Sequence, residues 1–457
     1  MIRSRIRRSV MMLSASTLAL GVVSAGIAVG TAGANASPHV SGVTSTNVTI
    51  GATVPLSGIA SGYAEVSAAA NAVFKYVNLH GKVNGRTVTY IRLDDCYNIP
   101  GIGCTQSSST TALTQTQVLV GTDHVFATVG SLGTATQDTV RSYLNSNGVP
   151  QLFVNSGSSD WNDATNYPGL FGFQASYKVE GKVFAKYIKA HLASKKIGFI
   201  GQHDDFGDNG YAGLTNGPSG VSIAAGDKWL YDPADAVFNT GDILAAVTHL
   251  QSSGVQVVVL DSIPPVTKKV LVTAHSLGYS PTWIISSVGA NPVSVSSKYE
   301  ANAISFNSLP ATNDIHNVWN VWIRKVLHAD TSFKGPDGHV FGTTSVLDGN
   351  EQYGVSFAVA FLEALKAEGA NPTQLGIIAA LQSTTYATPG ILPLQYSPTN
   401  HQGILGGVIS TILANGLLPP KFVVETSHTV YTTTDDQNSP ISTSTPYHVS
   451  AIPTWLH

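Results

Sequence analysis

The run from Val48 to Thr105, VTIGATVPLSGIASGYAEVSAAANAVFKYVNLHGKVNGRTVTYIRLDDCYNIPGIGCT, sets the architecture of this chain. A short apolar strand, Val48 to Val54, enters a Pro-Leu-Ser-Gly loop at 55–58, with an aromatic residue beyond it at Tyr63. A helix follows whose apolar face is carried by Val66, Ala70, Val73 and Val77, spaced at the helical period. The turn Gly81 to Arg86 then leads into a second strand that ends in Asp94-Asp95. Strand, polar loop, helix and strand make one βαβ unit. In open sheets of such units, ligands bind outside the carboxyl ends of the strands.

The pattern repeats outward from this unit. Strands are predicted at Thr87–Leu93, Val125–Val129, Gln151–Val154, Lys196–Ile200, Val255–Leu260 and Thr282–Ser286. Helices are predicted at Ser107–Val120, Ala135–Asn147, Val179–Leu192, Gly241–Ser253 and Val266–Leu277. Val255–Leu260 is apolar throughout, as expected of a strand covered on both faces. Alternating strands and helices predict an α/β protein of doubly wound parallel sheets.

On these residues the chain resembles the leucine/isoleucine/valine-binding family of extracytoplasmic solute receptors, which have the type I periplasmic-binding fold. The resemblance implies two lobes joined by three chain crossings, expected near Phe171–Ala175, Ala303–Asn307 and Gly403–Val408. Lobe 1 would comprise 46–172 and 306–405, and lobe 2 would comprise 173–305 and 406–428. A Ser/Thr/Pro-rich segment at 429–457 is left as either an ordered wrap or a loose tail.

Arg3, Arg5, Arg7 and Arg8 precede an apolar Ala/Gly-rich run that reaches Ala32, and Ala34-Asn35-Ala36 fits the small-x-small rule of signal peptidase. Residues 1–36 are therefore expected to be a secretory signal peptide. An uncleaved membrane anchor is the alternative, which the Gly and Ala content and the cleavage site disfavour. No Cys lies near the cleavage site, so a lipid anchor is not expected, and the mature chain is expected outside the cytoplasmic membrane. Cys96 and Cys104, an even local pair in an exported chain, are expected to form a disulfide. Metal ligation by two thiols without nearby His is the weaker alternative.

Removing the leader leaves about 420 of the 457 residues, enough for two sizeable cores. Charged residues are 11% of the chain with a formal net charge of −3, so the clustered Lys and Arg of a nucleic-acid footprint are missing. No glycine fingerprint, P-loop or metal motif appears, and no cofactor is expected.

Candidate ligand residues lie on loops at strand ends. Gly130 to Thr134 and Asn155 to Asp160 each follow a strand and offer hydroxyls and free N–H groups at a helix start. The resemblance implies that these two loops hold an amino acid's α-carboxylate, through Ser131 and Thr134 in the first and Ser156, Gly157 and Ser158 in the second. Helix N-capping is the ordinary role of such hydroxyls. The loop His203 to Asp208 matches the family's aspartate-x-x-tyrosine-glycine pattern, with Phe206 able to stack but not to hydrogen-bond. Tyr63 and Tyr177 complete the candidate set. One departure stands out: the family's ammonium-pairing glutamate is missing from Ile285 to Asn291, and Glu65, Asp204, Asp205 and Asp261 are the acids available to replace it.

The resemblance thus implies a solute-binding protein of an ABC importer, taking an amino acid, an amide or a small carboxylate and docking on a membrane permease, without catalysis. A sensory receptor of the same fold is the first alternative. The second is a serine hydrolase using Ser276 in Ala274-His275-Ser276-Leu277-Gly278, which the strand that follows, instead of a helix, argues against.

Overall fold

The computed structural model describes residues 40–457 apart from 102, 235–239, 291–294, 296–297, 336–337, 343–344, 414–420, 425–428 and 445–448. The expected signal segment 1–36, and parts of 406–428, lie outside the described residues. The helices are α1 (Ala64–His80), α2 (Ala112–Gly121), α3 (Thr134–Ser146), α4 (Tyr177–His191), α5 (Asp205–Thr215), α6 (Thr240–Ser252), α7 (Pro264–Ser276), α8 (Val318–Ala329), α9 (Gly349–Glu368) and α10 (Gln374–Ser383).

The first sheet has the order β2-β1-β3-β4-β5 and is parallel throughout, with β1 (Asn47–Val54), β2 (Thr87–Asp94), β3 (Thr128–Val129), β4 (Gln151–Val154) and β5 (Leu170–Gly172). β1 and β2 pair in register from Asn47 opposite Thr87 to Val54 opposite Asp94, so both strands deliver their loops to the same edge. The helix face read from the sequence, Val66, Ala70, Val73 and Val77, is buried. Phe74 of α1 touches Tyr90 of β2 and Phe361 of α9, so α1 is held between the sheet and the later helices.

The second sheet runs β16-β15-β13-β10-β9-β8-β6-β7, with β14 also on β13. Its parallel part is β6 (Ile197–Gln202), β7 (Lys228–Tyr231), β8 (Val257–Asp261), β9 (Thr282–Ile285) and β10 (Ile304–Asn307). β8 is buried at every position, as its continuous apolar run requires. A two-stranded ribbon, β11 (Thr385–Tyr386) with β12 (Leu394–Gln395), precedes the return to this sheet. The antiparallel part is β13 (Gly406–Leu413), β14 (Lys421–Val424), β15 (Val430–Thr432) and β16 (Ser442–Ser444). The molecule is thus mixed α/β, with parallel sheets in two lobes.

Some boundaries differ from the sequence reading for local reasons. The second helix begins at Ala112 rather than Ser107, because Ser107 bonds Ser109 and Thr110 side chain to side chain and Thr111 forms a capping box with Thr114. The regular strand is shorter than Val125–Val129, spanning Thr128–Val129, although Phe126 N–H also bonds the Thr49 carbonyl and the Ala127 carbonyl accepts from Gly51 N–H. Pro264 opens α7 two residues earlier than expected, where its missing N–H costs nothing.

The described part of the C-terminal segment is an ordered wrap. β15 and β16 extend the second sheet, and Lys178, Lys182 and Lys186 on successive turns of α4 donate to Gln437 Oε1, the Ser439 carbonyl and the Ile441 carbonyl. Farther on, the Trp319 and Trp322 indoles of α8 donate to the carbonyls of Ser450 and Leu456, and Trp455 donates to Glu363 of α9. The segment therefore touches both lobes.

Candidate ligand-binding cleft

A cavity of about 150 Å³ lies where the loops of the first sheet face those of the second. From the first lobe it is lined by Tyr63, Tyr97, Leu132, Gly133, Thr134 and Asn155, and from the second by Tyr177, Phe206, Ile263, Ser287 and Val288. Gln174 after β5, Asn307 to Thr312 from the end of β10, and Asp348, Asn350, Gln352 and Tyr353 at the start of α9 also line it. The aromatic rings dominate: Tyr177 and Phe206 lie tilted against each other with centroids 4.4 Å apart.

Each expected ligand residue has a definite place. Tyr63, Thr134, Tyr177 and Phe206 line the cavity. Ser131, Ser156, Gly157 and Ser158 stand behind its wall, and Ser131, Ser156 and Ser158 are almost wholly buried. Ser131 Oγ accepts from the Thr53 N–H at 3.1 Å, pinning β3 to β1. Ser156 Oγ is 2.7 Å from Thr134 Oγ1 and receives the Tyr177 hydroxyl at 3.4 Å. Ser158 Oγ accepts from the Asp160 N–H and donates to Asp205 Oδ2 at 3.1 Å.

Two further bonds join the lobes. Tyr63 donates its hydroxyl to the Val288 carbonyl at 3.3 Å, and Gln202 Nε2 donates to the Tyr97 hydroxyl at 3.5 Å. The chain leaving β5 also runs beside the approach to β13: Gly172 N–H bonds the His401 carbonyl at 2.9 Å and Ile404 N–H bonds the Phe173 carbonyl at 3.1 Å.

Tyr97 was not among the residues expected from sequence. Cys96, Tyr97 and Asn98 all have left-handed φ, at 50°, 59° and 56°, a conformation that costs roughly 1–2 kcal/mol per non-glycine residue. Surrounding bonds hold it: Asp94 Oδ1 accepts from Cys96 N–H, Asp95 Oδ1 from Tyr97 N–H, and Asn98 Oδ1 from Ala112 N–H. Cys96 is joined to Cys104 by the expected disulfide. Asp94 also accepts from Leu56, Ser57 and the Ser57 hydroxyl, so the acidic pair fixes this turn. Strain kept in place by so many partners holds the Tyr97 ring in the cleft. A tyrosine directly after a cysteine at a strand end is the one sequence signal that marked it.

None of the acids considered for the missing glutamate lines the cavity. Asp204 caps α5 and takes Gln202 Nε2 at 2.7 Å, Asp205 takes Ser158, and Asp261 is buried, its carboxyl pushed well up by desolvation and by Glu180. Glu180 of α4 lies where the strand that lacks the glutamate ends, accepting the Ser287 N–H at 2.7 Å and its hydroxyl at 2.9 Å. Burial pushes Glu180 up to about 7 against the pull of those two bonds. The acid that does line the cavity is Asp348, which caps α9 by accepting from Glu351 N–H. Ser276 sits at the exposed end of α7, its hydroxyl on the Val272 carbonyl, remote from any strand-to-helix elbow.

Two parallel-sheet lobes with a cavity between their facing loops define a type I periplasmic binding protein fold. Residues 47–416 match the periplasmic binding protein family, and the chain belongs to it. A search of curated protein sequences returns no significant match. Solved structures share the fold at low identity. A possible leucine/isoleucine/valine-binding protein from Rhodopirellula baltica SH 1 is 17% identical, covering 85% of this chain and 98% of its own, with a TM-score of 0.67. A branched chain amino acid ABC transporter protein from Thermus thermophilus with bound valine is 15% identical, covering 83% and 96%, with a TM-score of 0.67. A solute binding protein of an ABC transporter from Rhodopseudomonas palustris BisB5, in complex with 3,4-dihydroxy benzoic acid, is 14% identical, covering 82% and 95%, with a TM-score of 0.65.

Proposed function

We propose that this chain is the extracytoplasmic solute-binding component of an ABC importer, exported by its leader, holding a small polar solute between two closing lobes and presenting it to a membrane permease. The observation that carries this reading is the cavity at the lobe junction, with bonds from Tyr63, Tyr97 and Ser158 joining the lobes around it. Family membership and neighbours that bind valine or 3,4-dihydroxy benzoic acid support it. The lining offers aromatic faces, side-chain amides and several hydroxyls, groups suited to recognising a small solute. Closure requires that the solute bind the closed state more tightly than the open one. Tyr63, Thr134, Tyr177 and Phe206 would contact the solute directly, while Ser131, Ser156, Gly157 and Ser158 would hold the two loops that frame it. No helix among the described residues is long and apolar enough to cross a membrane. The test is small-angle scattering on refolded, solute-stripped protein: a saturating solute should shrink the radius of gyration, and identical profiles would count against closure.

A further inference from the structure

Among the described residues that line the cleft, only Asp348 has a charged side chain, and that charge is negative. Asp348 is buried, and its Oδ1 accepts the Glu351 N–H at 3.0 Å as the N-cap of α9. The helix dipole offsets about half of a unit charge there, so this wall of the cleft stays net negative. Glu351 does not add to it. Burial first, and then the charge on Asp348, push the Glu351 carboxyl up to about 10, so it keeps its proton.

A second acid acts through a neighbour. Ser287 lines the cleft, and its N–H and hydroxyl both donate to the buried Glu180 of α4, at 2.7 and 2.9 Å. With that proton spent, Ser287 Oγ presents only lone pairs to the cleft, which suit a donor. Aromatic rings fill much of the remaining lining: Tyr63, Tyr97, Tyr177, Phe206 and Tyr353. Tyr63 and Tyr177 spend their hydroxyl protons on the Val288 carbonyl and on Ser156. What these two offer a solute is therefore ring face and oxygen lone pair. Aromatic faces attract a cation, most strongly where water is excluded. A buried cation without a counter-charge is costly, and Asp348 supplies one.

Resting on the receptor reading above, we infer that the cleft selects a solute bearing an ammonium group, an alkylamine, arylalkylamine or quaternary amine, with Asp348 as its counter-ion and Ser287, positioned by Glu180, as a second point of attraction. The volume of about 150 Å³ is that of a cavity that accepts benzene, so the body carrying the charge is one ring or a short branched chain.

Titration calorimetry on the solute-stripped full chain tests this at about pH 8, above the value of about 7 to which burial raises Glu180. The probes are matched pairs: benzylamine and benzyl alcohol, isobutylamine and isobutanol, choline and its uncharged carbon isostere 3,3-dimethylbutan-1-ol. In each pair that binds, the ammonium member should bind at least about tenfold more tightly than the alcohol. Asp348→Asn, which keeps a capping side chain on α9, should bring that ratio below about threefold. Glu180→Gln should lower the ratio by a smaller factor and leave the affinity of the uncharged partner unchanged. An uncharged partner that binds wild-type protein as tightly as its ammonium counterpart overturns the inference, and this comparison needs no variant to fold. A folded Asp348→Asn that weakens both members of a pair alike, or neither, also overturns it. Silence from all six probes overturns the assigned class, whereas the receptor reading falls only if solutes of other classes also leave the scattering profile unchanged.

Discussion

The Ser158 hydroxyl of the first lobe donates to the Asp205 carboxylate of the second across 3.1 Å, beside the cavity and not within it. A serine in a loop matched to carboxylate binding thus spends its proton on a bond between the lobes. Removing a single hydrogen bond of this kind costs about 1 kcal/mol. Ser158→Ala should therefore weaken affinity for any solute that closes the lobes by about fivefold. The same substitution should enlarge the radius of gyration of the solute-free protein. An unchanged profile with unchanged affinity would remove Ser158 from the closure.

Glu180 makes stability depend on pH. Its carboxyl is raised from 4.5 to about 7 by burial. Between those values the unfolded chain has lost this proton while the folded protein keeps it, so stability falls as pH climbs from 4.5 to about 7 and then levels off. Glu180→Gln removes the term while still facing Ser287. The Tm of this variant relative to wild type should rise between about pH 5 and pH 7.5, with a free-energy gain of about 3 kcal/mol at most. A relative Tm that falls over the same range would contradict the assignment.

The disulfide from Cys96 to Cys104 closes a separation of eight residues and borders the left-handed turn that carries Tyr97. In the chain-entropy model a loop of this length contributes about 2–3 kcal/mol. Cys96→Ala with Cys104→Ala should lower the Tm accordingly, measured by calorimetry under two-state conditions. A double variant as stable as wild type would show that Asp94, Asp95 and Asn98 hold the turn unaided.

The C-terminal wrap should contribute to both lobes. Deleting 449–457 uncovers Trp319 and Trp322, which are buried, and removes the buried Leu456. Stability should drop by roughly 2–5 kcal/mol, the cost of losing a buried leucine in a core. Tryptophan emission should shift to the red. A truncated chain with unaltered emission would mean that the indoles are covered by other groups.

Much of this fold could be read in the sequence, because burial and periodicity coincide there. The faces of α1, the all-buried β8 and the two loop regions after β3 and β4 follow from side-chain pattern alone. The site was only partly legible. Tyr63, Thr134, Tyr177 and Phe206 line the cavity, yet the hydroxyls of Ser131, Ser156 and Ser158 point into the scaffold, since backbone N–H groups and Asp205 compete for them. Tyr97 escaped because three successive left-handed residues redirect the loop, which no periodic pattern signals. Asp348, Gln174 and Tyr353 come from the chain after β5 and from the start of α9, distant in sequence and adjacent only once both lobes have formed.

The central claim is that a small solute binds in the cavity between the lobes. Its most direct test is calorimetric titration of wild type and Ala311→Trp, a substitution at a lining position meant to fill that cavity, with any solute that raises the wild-type Tm. The account predicts saturable one-to-one binding by wild type and none by a folded Ala311→Trp. Equal affinity in both proteins would place the solute elsewhere and contradict the account.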